Sequence, residues 1–386
     1  MKLIRASKIV LQAPPEAFQP TVDAYTKAYN FVCQTGWDSK DTNGVSLHHK
    51  TYHTTREYLP SQLAISARMK ATESLKAVAT KIKAGGKATC PKSNRCSIRY
   101  DANSYSLLLA SGEVSIKTIE SRRRVKMLVP EYFQQYLGWT YTSADLFIRN
   151  GKVFLYVIFE KEVADIPSNG KVVGIDRGIV NLAVTSNNQF FSGQQVKSVS
   201  ARYERLRSEL QSKGHSGKRH SRRMATKERR FRQDVNHCVA KQIVNSLEPG
   251  STIVLENLKG IRQNVRLRKQ QRKQVHQWNF FQLESFLKYK GEANGIRTGY
   301  VSARYTSQKC SKCGHISRSN RPCQSVFHCR SCGFQLNADL NASRNIRNNY
   351  LDATSHPSRG AVNHLSRCSQ NPLGLVEQAP RSLAEG

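Results

Sequence analysis

Along the first third of the chain the apolar positions change period several times. "MKLIRASKIVLQ" alternates apolar and polar residues and predicts a strand. In "APPEAFQPTVDAYTKAYNFV", Phe18, Val22, Tyr25, Tyr29 and Val32 recur at steps of four and three, the spacing of one helical face. A second helix is predicted from Pro60, with Ala64, Ala67, Ala71, Leu75, Val78 and Ile82 on one side and Gly85–Gly86 ending it. From about residue 96 short β-rich runs follow: "CSIRY", "SYSLLLA", "EVSIK" and "LFIRNGKVFLYVIFE". In the last of these, Asn150–Gly151 between apolar runs predicts a two-residue hairpin turn with positive φ at both positions. The pattern as a whole is that of a β-barrel interrupted early by a helical insert.

After the polar link "ADIPSNG", the run "VVGIDRGIVNLAV" at 172–184 places Asp176 at the end of a β-branched strand, with a hairpin returning through "NLAVTS". A second strand, Ile253–Val254–Leu255, opened by a Pro–Gly turn, ends on Glu256. In "LNADLNASRNI", Asn337 can cap a helix whose first turn holds Asp339. "HQWNFFQLESFLKYK" reads as an amphipathic helix with Trp278, Phe280 and Phe281 packing in a core, the alternative being that these rings stack on bases. The last 36 residues, with Pro357, Pro372 and Pro380 and no sustained period, read as a poorly ordered tail.

Charge changes this picture. Of 386 residues, 61 are Lys or Arg and 27 are Asp or Glu, a formal charge of +34. A compact chain of that charge repels itself unless a polyanion neutralises it, and nucleic acid is the natural partner. The surplus is concentrated: 12 Lys and Arg against 3 Glu at 201–232, and seven Lys and Arg with no acid at 259–273. Both runs are expected to face phosphates. No apolar run approaches the ~18 residues needed to cross a bilayer, and Lys2, Arg5 and Lys8 interrupt the opening strand where a signal peptide would be apolar. The expectation is a cytosolic protein without a membrane partner.

In so basic a chain an acid on an apolar strand needs a reason. Taken singly, each has an ordinary one: Asp176 in a turn, Glu256 at a strand end, Asp339 favoured by a helix dipole. Taken together, a strand-end Asp, a later strand-end Glu and a helical Asp form the three-carboxylate arrangement of RNase H-like nucleases. Converging carboxylates repel unless cations sit between them. Two Mg²⁺ roughly 3.5–4 Å apart would supply that charge, activate a water and stabilise the leaving oxygen of a phosphodiester. A strand end is the rigid place from which to hold such a ligand.

Five of the ten Cys fall between 310 and 332. Cys310, Cys313, Cys329 and Cys332 form C-x₂-C-x₁₅-C-x₂-C, with Gly314 and Gly333 just after each pair, a spacing that suits one tetrahedral Zn²⁺. Cys323 and His328 are spare ligands that the set does not need. Four protein ligands leave no open position, so the zinc is expected to be structural.

Taken in order, "GIDRGIVNLAV", "IVLENLKGI", "YTSQKCSKCGH" and "CGFQLNADLNASRNI" resemble TnpB, the transposon-encoded family related to type V CRISPR effectors. The resemblance carries specific motifs from about 170 to 350. It implies an α/β fold in which an RNase H-like (RuvC) nuclease domain with an inserted zinc ribbon follows a wedge-like β-barrel and its helical recognition insert. In domains, this is 1–14 and 88–168 for the barrel, 15–87 for the recognition helices, 169–304 and 335–350 for the nuclease, 305–334 for the zinc ribbon, which the resemblance implies binds target nucleic acid, and 351–386 for the tail. By position, Asp176, Glu256 and Asp339 match the catalytic acids, and the four Cys match the ribbon. The implied activity is cleavage of double-stranded DNA beside a short transposon-adjacent motif, directed by a guide RNA from the transposon end, with Mg²⁺ and Zn²⁺ as cofactors. Gln62, Lys70, Ser74 and Lys76 on the second helix are candidates to read the motif. Arg122, Arg123, Arg124, Arg222, Arg223, Arg229, Arg230, Arg266, Arg268 and Lys269 are candidates for nucleic-acid contacts. A guide-free transposase or junction nuclease would share fold and acids but cut naked DNA without RNA. A non-cleaving RNA-guided regulator would have no use for all three acids.

Overall fold

A computed structural model of the chain describes residues 2–212, 215–258 and 280–355. They fall into two compact units, Met1–Ala164 and Asp165–Gly386. The run 259–273 with Arg266, Arg268 and Lys269, Trp278, and the segment from 356 onward lie outside the described residues, as does the side chain of Arg222.

The first unit opens with β1 (Lys2–Leu11) and three helices, α1 (Gln19–Asp38), α2 (Gly44–Arg56) and α3 (Ser61–Lys83). It continues with β2 (Ile98–Tyr100), β3 (Tyr105–Leu108), β4 (Glu113–Lys117), β5 (Arg122–Leu128), a single turn α4 (Glu131–Gln134), β6 (Thr140–Arg149) and β7 (Lys152–Glu162). The seven strands form one sheet in the order β2-β6-β7-β1-β5-β4-β3. Its two outermost strands, β2 and β3, are joined by only residues 101–104, so the sheet has to curl until its edges meet. Tyr100 and Tyr105, one from each edge, are both buried, with ring centroids 6.5 Å apart. Asn150 and Gly151 have φ of 50° and 67°, and Arg149 pairs with Lys152 across the turn, as the Asn–Gly signal predicts. Phe18, Val22, Tyr25, Tyr29 and Val32 are buried together with Ala64, Ala67, Ala71 and Leu75 in one continuous core that also holds the inner face of the sheet. Farther along α3 the predicted stripe fades, and Ile82 is exposed.

Two elements escape the periodic reading. Helix α2 is capped by Asn43, whose Oδ1 accepts from the N–H groups of Val45 and Ser46 at 2.8 and 3.3 Å. Its buried positions are Leu47, Thr51 and Thr55, and the two hydroxyls satisfy themselves on Leu47 O and Thr51 O. Threonine in place of aliphatic residues hides the period. In β5, "RRRVKML", arginine stands on both faces of the strand and masks the alternation.

The second unit contains β8 (Val172–Asp176), β9 (Asn181–Thr185), β10 (Phe190–Ser192), α5 (Gln194–Gln211), α6 (His215–Asn245) and β11 (Thr252–Asn257). Then follow α7 (Phe280–Ala293), β12 (Arg297–Ser302), the short pair β13 (Val326–His328) and β14 (Gln335–Asn337), and α8 (Ala338–Ser355). Five strands form a mixed sheet, β10-β9-β8-β11-β12, in which β8, β11 and β12 run parallel, β9 pairs antiparallel with β8 and β10 antiparallel with β9. Both faces are covered, which is why the parallel strands read as unbroken apolar runs. Val173, Ile175, Ile253 and Leu255 pack with Val239, Ala240, Ile243 and Val244 of α6 and Leu283 and Leu287 of α7. On the opposite face Val254 and Val301 meet Ile346 of α8.

Helix α8 lies close against that second face because glycine leaves room for it. In register, Val254 is flanked by Gly174 on β8 and Gly299 on β12. A Cβ at Gly174 would stand 2.2 Å from Ser343 O and 2.6 Å from Arg347 N, and one at Gly299 would stand 2.5 Å from the Tyr350 ring. The helix therefore rests in a trench made by two glycines, and its first turn is carried to the strand ends.

Candidate active site

Strand alternation sets the direction of two acids. Asp176 lies two residues beyond Gly174 and Glu256 two residues beyond Val254, so both side chains belong to the face covered by α8. The ladder pairs Leu255 with Ile175, which makes Glu256 and Asp176 neighbours at the carboxyl ends of adjacent parallel strands. Asp339 enters from α8. Asn337 caps that helix, its Oδ1 accepting from the N–H groups of Asp339 and Leu340 at 3.0 and 3.2 Å. Three residues separated by 80 and 83 positions in sequence are thus brought together.

Their electrostatics record the crowding. Burial first, and then the charges of Glu256 and Asp339, push the Asp176 carboxyl well above the usual carboxylate range, against the opposing pull of Arg321 and Arg177. Glu256 is also raised by burial, while the Thr306 hydroxyl and the Arg177 charge hold it down. Asp339 accepts from Asn181 Nδ2 at 2.9 Å and pairs with Arg321 at 3.2 Å. Among the described residues nothing donates to the Asp176 carboxylate. The three carboxylates thus raise the cost of ionising one another, and their oxygens are of the kind that hard divalent ions bind.

Three residues near the acids carry no signal in the sequence pattern. Arg177 is buried, and its Nη2 donates to Glu256 O at 2.7 Å while Nη1 pairs with Glu284 at 2.5 Å. Tyr300 in turn donates to Glu284 at 3.0 Å. The Thr306 hydroxyl donates to Glu256 Oε1, and its backbone carbonyl accepts from Asn345 Nδ2 of α8 at 2.8 Å. Arg321 reaches Asp339 from the segment between the two cysteine pairs. Their partners lie far off in sequence, and only the adjacency of Arg177 to Asp176 could have drawn attention to any of them.

The four cysteines form the tighter cluster. Among the described residues they alone offer three or more ligand atoms all within 4.8 Å of one another. Cys310 Sγ stands 3.8 Å from Cys332 Sγ and Cys313 Sγ 3.6 Å from Cys329 Sγ. Those separations are too long for disulfides and match the edge of about 3.8 Å of a tetrahedron with 2.3 Å Zn–S bonds. Gly314 and Gly333, at φ 79° and 70°, let each pair turn back, with Gly314 N donating to Cys310 O and Gly333 N to Cys329 O. Burial works against a Cys329 thiolate, yet the N–H groups of Cys332 and Ser331 with the neighbouring thiols bring its pKa down to about 6. Cys323 is exposed and outside the cluster. The cluster is tied to α8 by amides: Asn341 Nδ2 and Asn345 Nδ2 donate to Lys309 O, and Asn341 Oδ1 accepts from Ser311 N.

Gln62 donates to Asp101, Lys70 to Ser97 and Asp145, and Ser74 lies between Tyr29 and Lys70 O, so these three fasten α3 within the first unit, while Lys76 is exposed. Arg122 donates to Asn103 O and Arg123 pairs with Glu120, whereas Arg124 is exposed. On α6, Arg223, Arg229 and Arg230 are exposed, while the neighbouring Glu228 is held between Arg207 and Arg232. Phe280 is buried and Phe281 exposed.

The site thus combines two acids at adjacent strand ends, a third at a helix start, and a four-cysteine cluster in the same unit. Comparisons with known proteins give the kinship. The family model described as "Probable transposase", OrfB_IS605, matches residues 156–273, and the model of the Cas12f1-like TNB domain matches 280–346. The CRISPR-associated endodeoxyribonuclease Cas12f1 of Syntrophomonas palmitatica is 28% identical over 230 residues, 47% of this chain and 45% of that protein. A protein of Escherichia coli K12, provisionally named RNA-guided DNA endonuclease InsQ, is 29% identical over 217 residues, 51% of this chain and 53% of its own. A TnpB-like protein of Aquifex aeolicus is 33% identical over 136 residues, 33% of this chain and 44% of its own. The matched region thus spans about half the length of these relatives. In fold, the chain is similar to Cas12f1 from a complex with sgRNA and target DNA, with a TM-score of 0.62 at 16% identity over 86% of this chain and 82% of that one. These matches show the resemblance to TnpB and the type V effectors that the motifs carry, and the α/β fold with its curled sheet is that of Cas12 effectors.

Proposed function

We propose that this chain is an RNA-guided DNA endonuclease of a transposon, cutting at Asp176, Glu256 and Asp339 in a RuvC-type, RNase H-like domain. The observation that carries the reading is the convergence of these acids, from two parallel strand ends and a helix start, on the one face covered by α8. In domains, the curled sheet is the wedge with its helices as the recognition insert, 169–304 with 335–350 is the nuclease, and 305–334 is a zinc ribbon. Relatives whose names specify endodeoxyribonuclease activity, and in one case RNA guidance, support the same reading.

Asp176, Glu256 and Asp339 would hold two Mg²⁺, and the four cysteines one Zn²⁺. Bound divalent ions would supply an activated water and neutralise charge on the phosphodiester and its leaving oxygen. The protein's own residues fix where this happens. Arg177 clamps the Glu256 backbone to α7, and Thr306 orients the Glu256 carboxylate, so the ligand is preorganised on a strand end. Arg321 holds a guanidinium beside Asp339, a group whose charge and fork geometry would suit a phosphate of the bound strand. Exposed arginines of α6, Arg223, Arg229 and Arg230, offer backbone contacts without base preference. Sequence choice then comes from pairing between the guide RNA and one DNA strand, with protein reading the adjacent motif.

Asp176→Ala, Glu256→Ala and Asp339→Ala are each expected to lower Mg²⁺-dependent cleavage of double-stranded DNA by more than about 10³-fold while leaving nucleic-acid binding within about twofold. Cleavage assays paired with binding assays on the same preparations check this. A variant that cuts at the wild-type rate would return its acid to the role of turn or cap.

A further inference from the structure

Helix α2 of the first unit turns two histidines out to solvent. At about 100° of rotation per residue, its buried Leu47, Thr51 and Thr55 define the inward direction, and His49 and His53 fall within about 20° of the opposite one. Both are exposed. A spacing of four sets them one turn apart on one face, with Cβ atoms about 5–6 Å from each other. His48 is half-buried beside Arg68 and stacks on Tyr52, with ring centroids 4.4 Å apart. Burial, and then the charges of Arg68, His49 and His53, hold the His48 imidazole below its usual pKa, so the three histidines form one crowded group. The rings of His49 and His53 meet those of His48 and Tyr52 edge-on, each with centroids 5.9 Å apart. Lys50 Nζ is drawn to Asp41 Oδ2 at 2.8 Å and Arg56 Nη1 donates to Leu59 O at 3.1 Å, so two flexible cations of the same helix are held elsewhere. Glu57, one turn beyond His53, adds an exposed carboxylate.

We propose that His49 and His53 form a two-imidazole site for a borderline divalent transition-metal ion, Ni²⁺, Cu²⁺ or Zn²⁺, distinct from the acids and from the cysteine cluster. Two imidazoles four residues apart on a helix can close on one ion with bonds of about 2.0–2.1 Å. The helix that presents them is fixed in place, capped by Asn43 and packed through Leu47, Thr51 and Thr55, so once one ring has bound, the other is held near the ion at high effective concentration. Ligand type separates the sites: hard Mg²⁺ takes oxygen, thiolates draw softer ions, and imidazole suits the metals between. Two protein ligands leave the remaining positions to water, which makes this an exchangeable site and not a structural one. It stands on α2 alone and does not rest on the nuclease reading.

The test titrates Ni²⁺ into the full chain by calorimetry, with copurifying nucleic acid removed, the cysteine cluster supplied with zinc and the accessible thiols alkylated. The wild type should bind Ni²⁺ at the pair, and His49→Gln and His53→Gln should each weaken that binding by at least about tenfold. His48→Gln should leave it unchanged. His53→Gln combined with Thr54→His keeps the number of histidines but breaks the four-residue spacing, and it should bind as weakly as His53→Gln alone. His49, His53 and Thr54 are all exposed, and the thermal midpoint without Ni²⁺ confirms that the variants fold. Wild-type affinity in either single variant at the pair would overturn the site. Recovery on adding Thr54→His would overturn the chelate geometry, and a loss in His48→Gln as large as in His49→Gln would overturn the assignment to His49 and His53. Because neither cleavage nor nucleic-acid binding is measured, failure here leaves the acid triad untouched, and failure of the triad leaves this result standing.

Discussion

The cysteine cluster and the acid cluster lie in the same unit and are built in opposite ways. Four thiols come from 23 consecutive residues, and two glycine-ended turns are enough to aim them at one point. The three acids are separated by 80 and 83 residues and meet only when β8 and β11 pair in parallel register and α8 drops into the Gly174–Gly299 trench. A local site forms wherever its own segment folds. A topological site inherits every error in sheet register and helix packing, and under the proposed function it is the one given to chemistry that needs positional accuracy. The two are also joined, since Thr306 and Arg321, just before and within the cysteine segment, touch Glu256 and Asp339.

This contrast can be broken first at Gly174. Gly174→Ala forces a methyl to within 2.2 Å of Ser343 O and 2.6 Å of Arg347 N, both backbone atoms that cannot step aside. The expected cost is about 3 kcal/mol of stability, with cleavage down by at least about 100-fold because Asp339 shifts away from the strand ends. Zinc stoichiometry should stay at one per chain. Thermal unfolding, cleavage rate and metal analysis on one preparation check all three. Loss of zinc alongside activity would show that the cysteine cluster is not local in the sense argued.

The converse substitutions sharpen the link. Cys310→Ser or Cys332→Ser should abolish zinc retention, and, because the segment carries Arg321 and follows directly on Thr306, lower cleavage by tens of fold rather than completely. Metal content and cleavage rates on the same variants check this. Wild-type cleavage by a folded, zinc-free variant would separate the clusters entirely.

A smaller effect is expected at Thr306. Thr306→Val keeps the shape and removes the donor to Glu256 Oε1, so the Mg²⁺ concentration for half-maximal cleavage should rise about tenfold while the rate at saturating metal changes little. Thr306→Ser should restore the wild-type requirement. A lowered rate at saturating Mg²⁺ with an unchanged requirement would make Thr306 a packing residue only.

The same contrast explains what the sequence makes legible. Four cysteines at fixed spacing can be read without knowing the fold. So can the α1 face, whose apolar residues recur at helical steps, and the Asn150–Gly151 turn, whose conformation follows from two residues. Each acid could be placed on its strand end or helix start because hydrophobic period gives the element. Partnership is what period does not give. Arg177 reads as a turn residue until its bonds to Glu256 and Glu284, 79 and 107 positions away, are seen. Gln62, Lys70 and Ser74 read as candidates to contact the adjacent motif, yet they bond to Asp101, Ser97 and Tyr29 because the face of α3 beside the apolar stripe also meets protein. Helix α2 was invisible because Thr51 and Thr55 occupy buried positions through self-satisfied hydroxyls that no apolar count registers.

The central claim is that the topological site cuts DNA chosen by a bound RNA. It is tested most directly by reconstituting the protein with RNA whose guide segment has been exchanged, and sequencing the cuts made in a DNA library randomised beside the new target. The account predicts Mg²⁺-dependent cleavage that moves to the DNA matching the new guide, keeps the same adjacent motif, and disappears with Asp176→Ala. Cleavage that ignores the guide, or that persists when RNase treatment precedes assembly, would contradict it and leave a guide-free nuclease in its place.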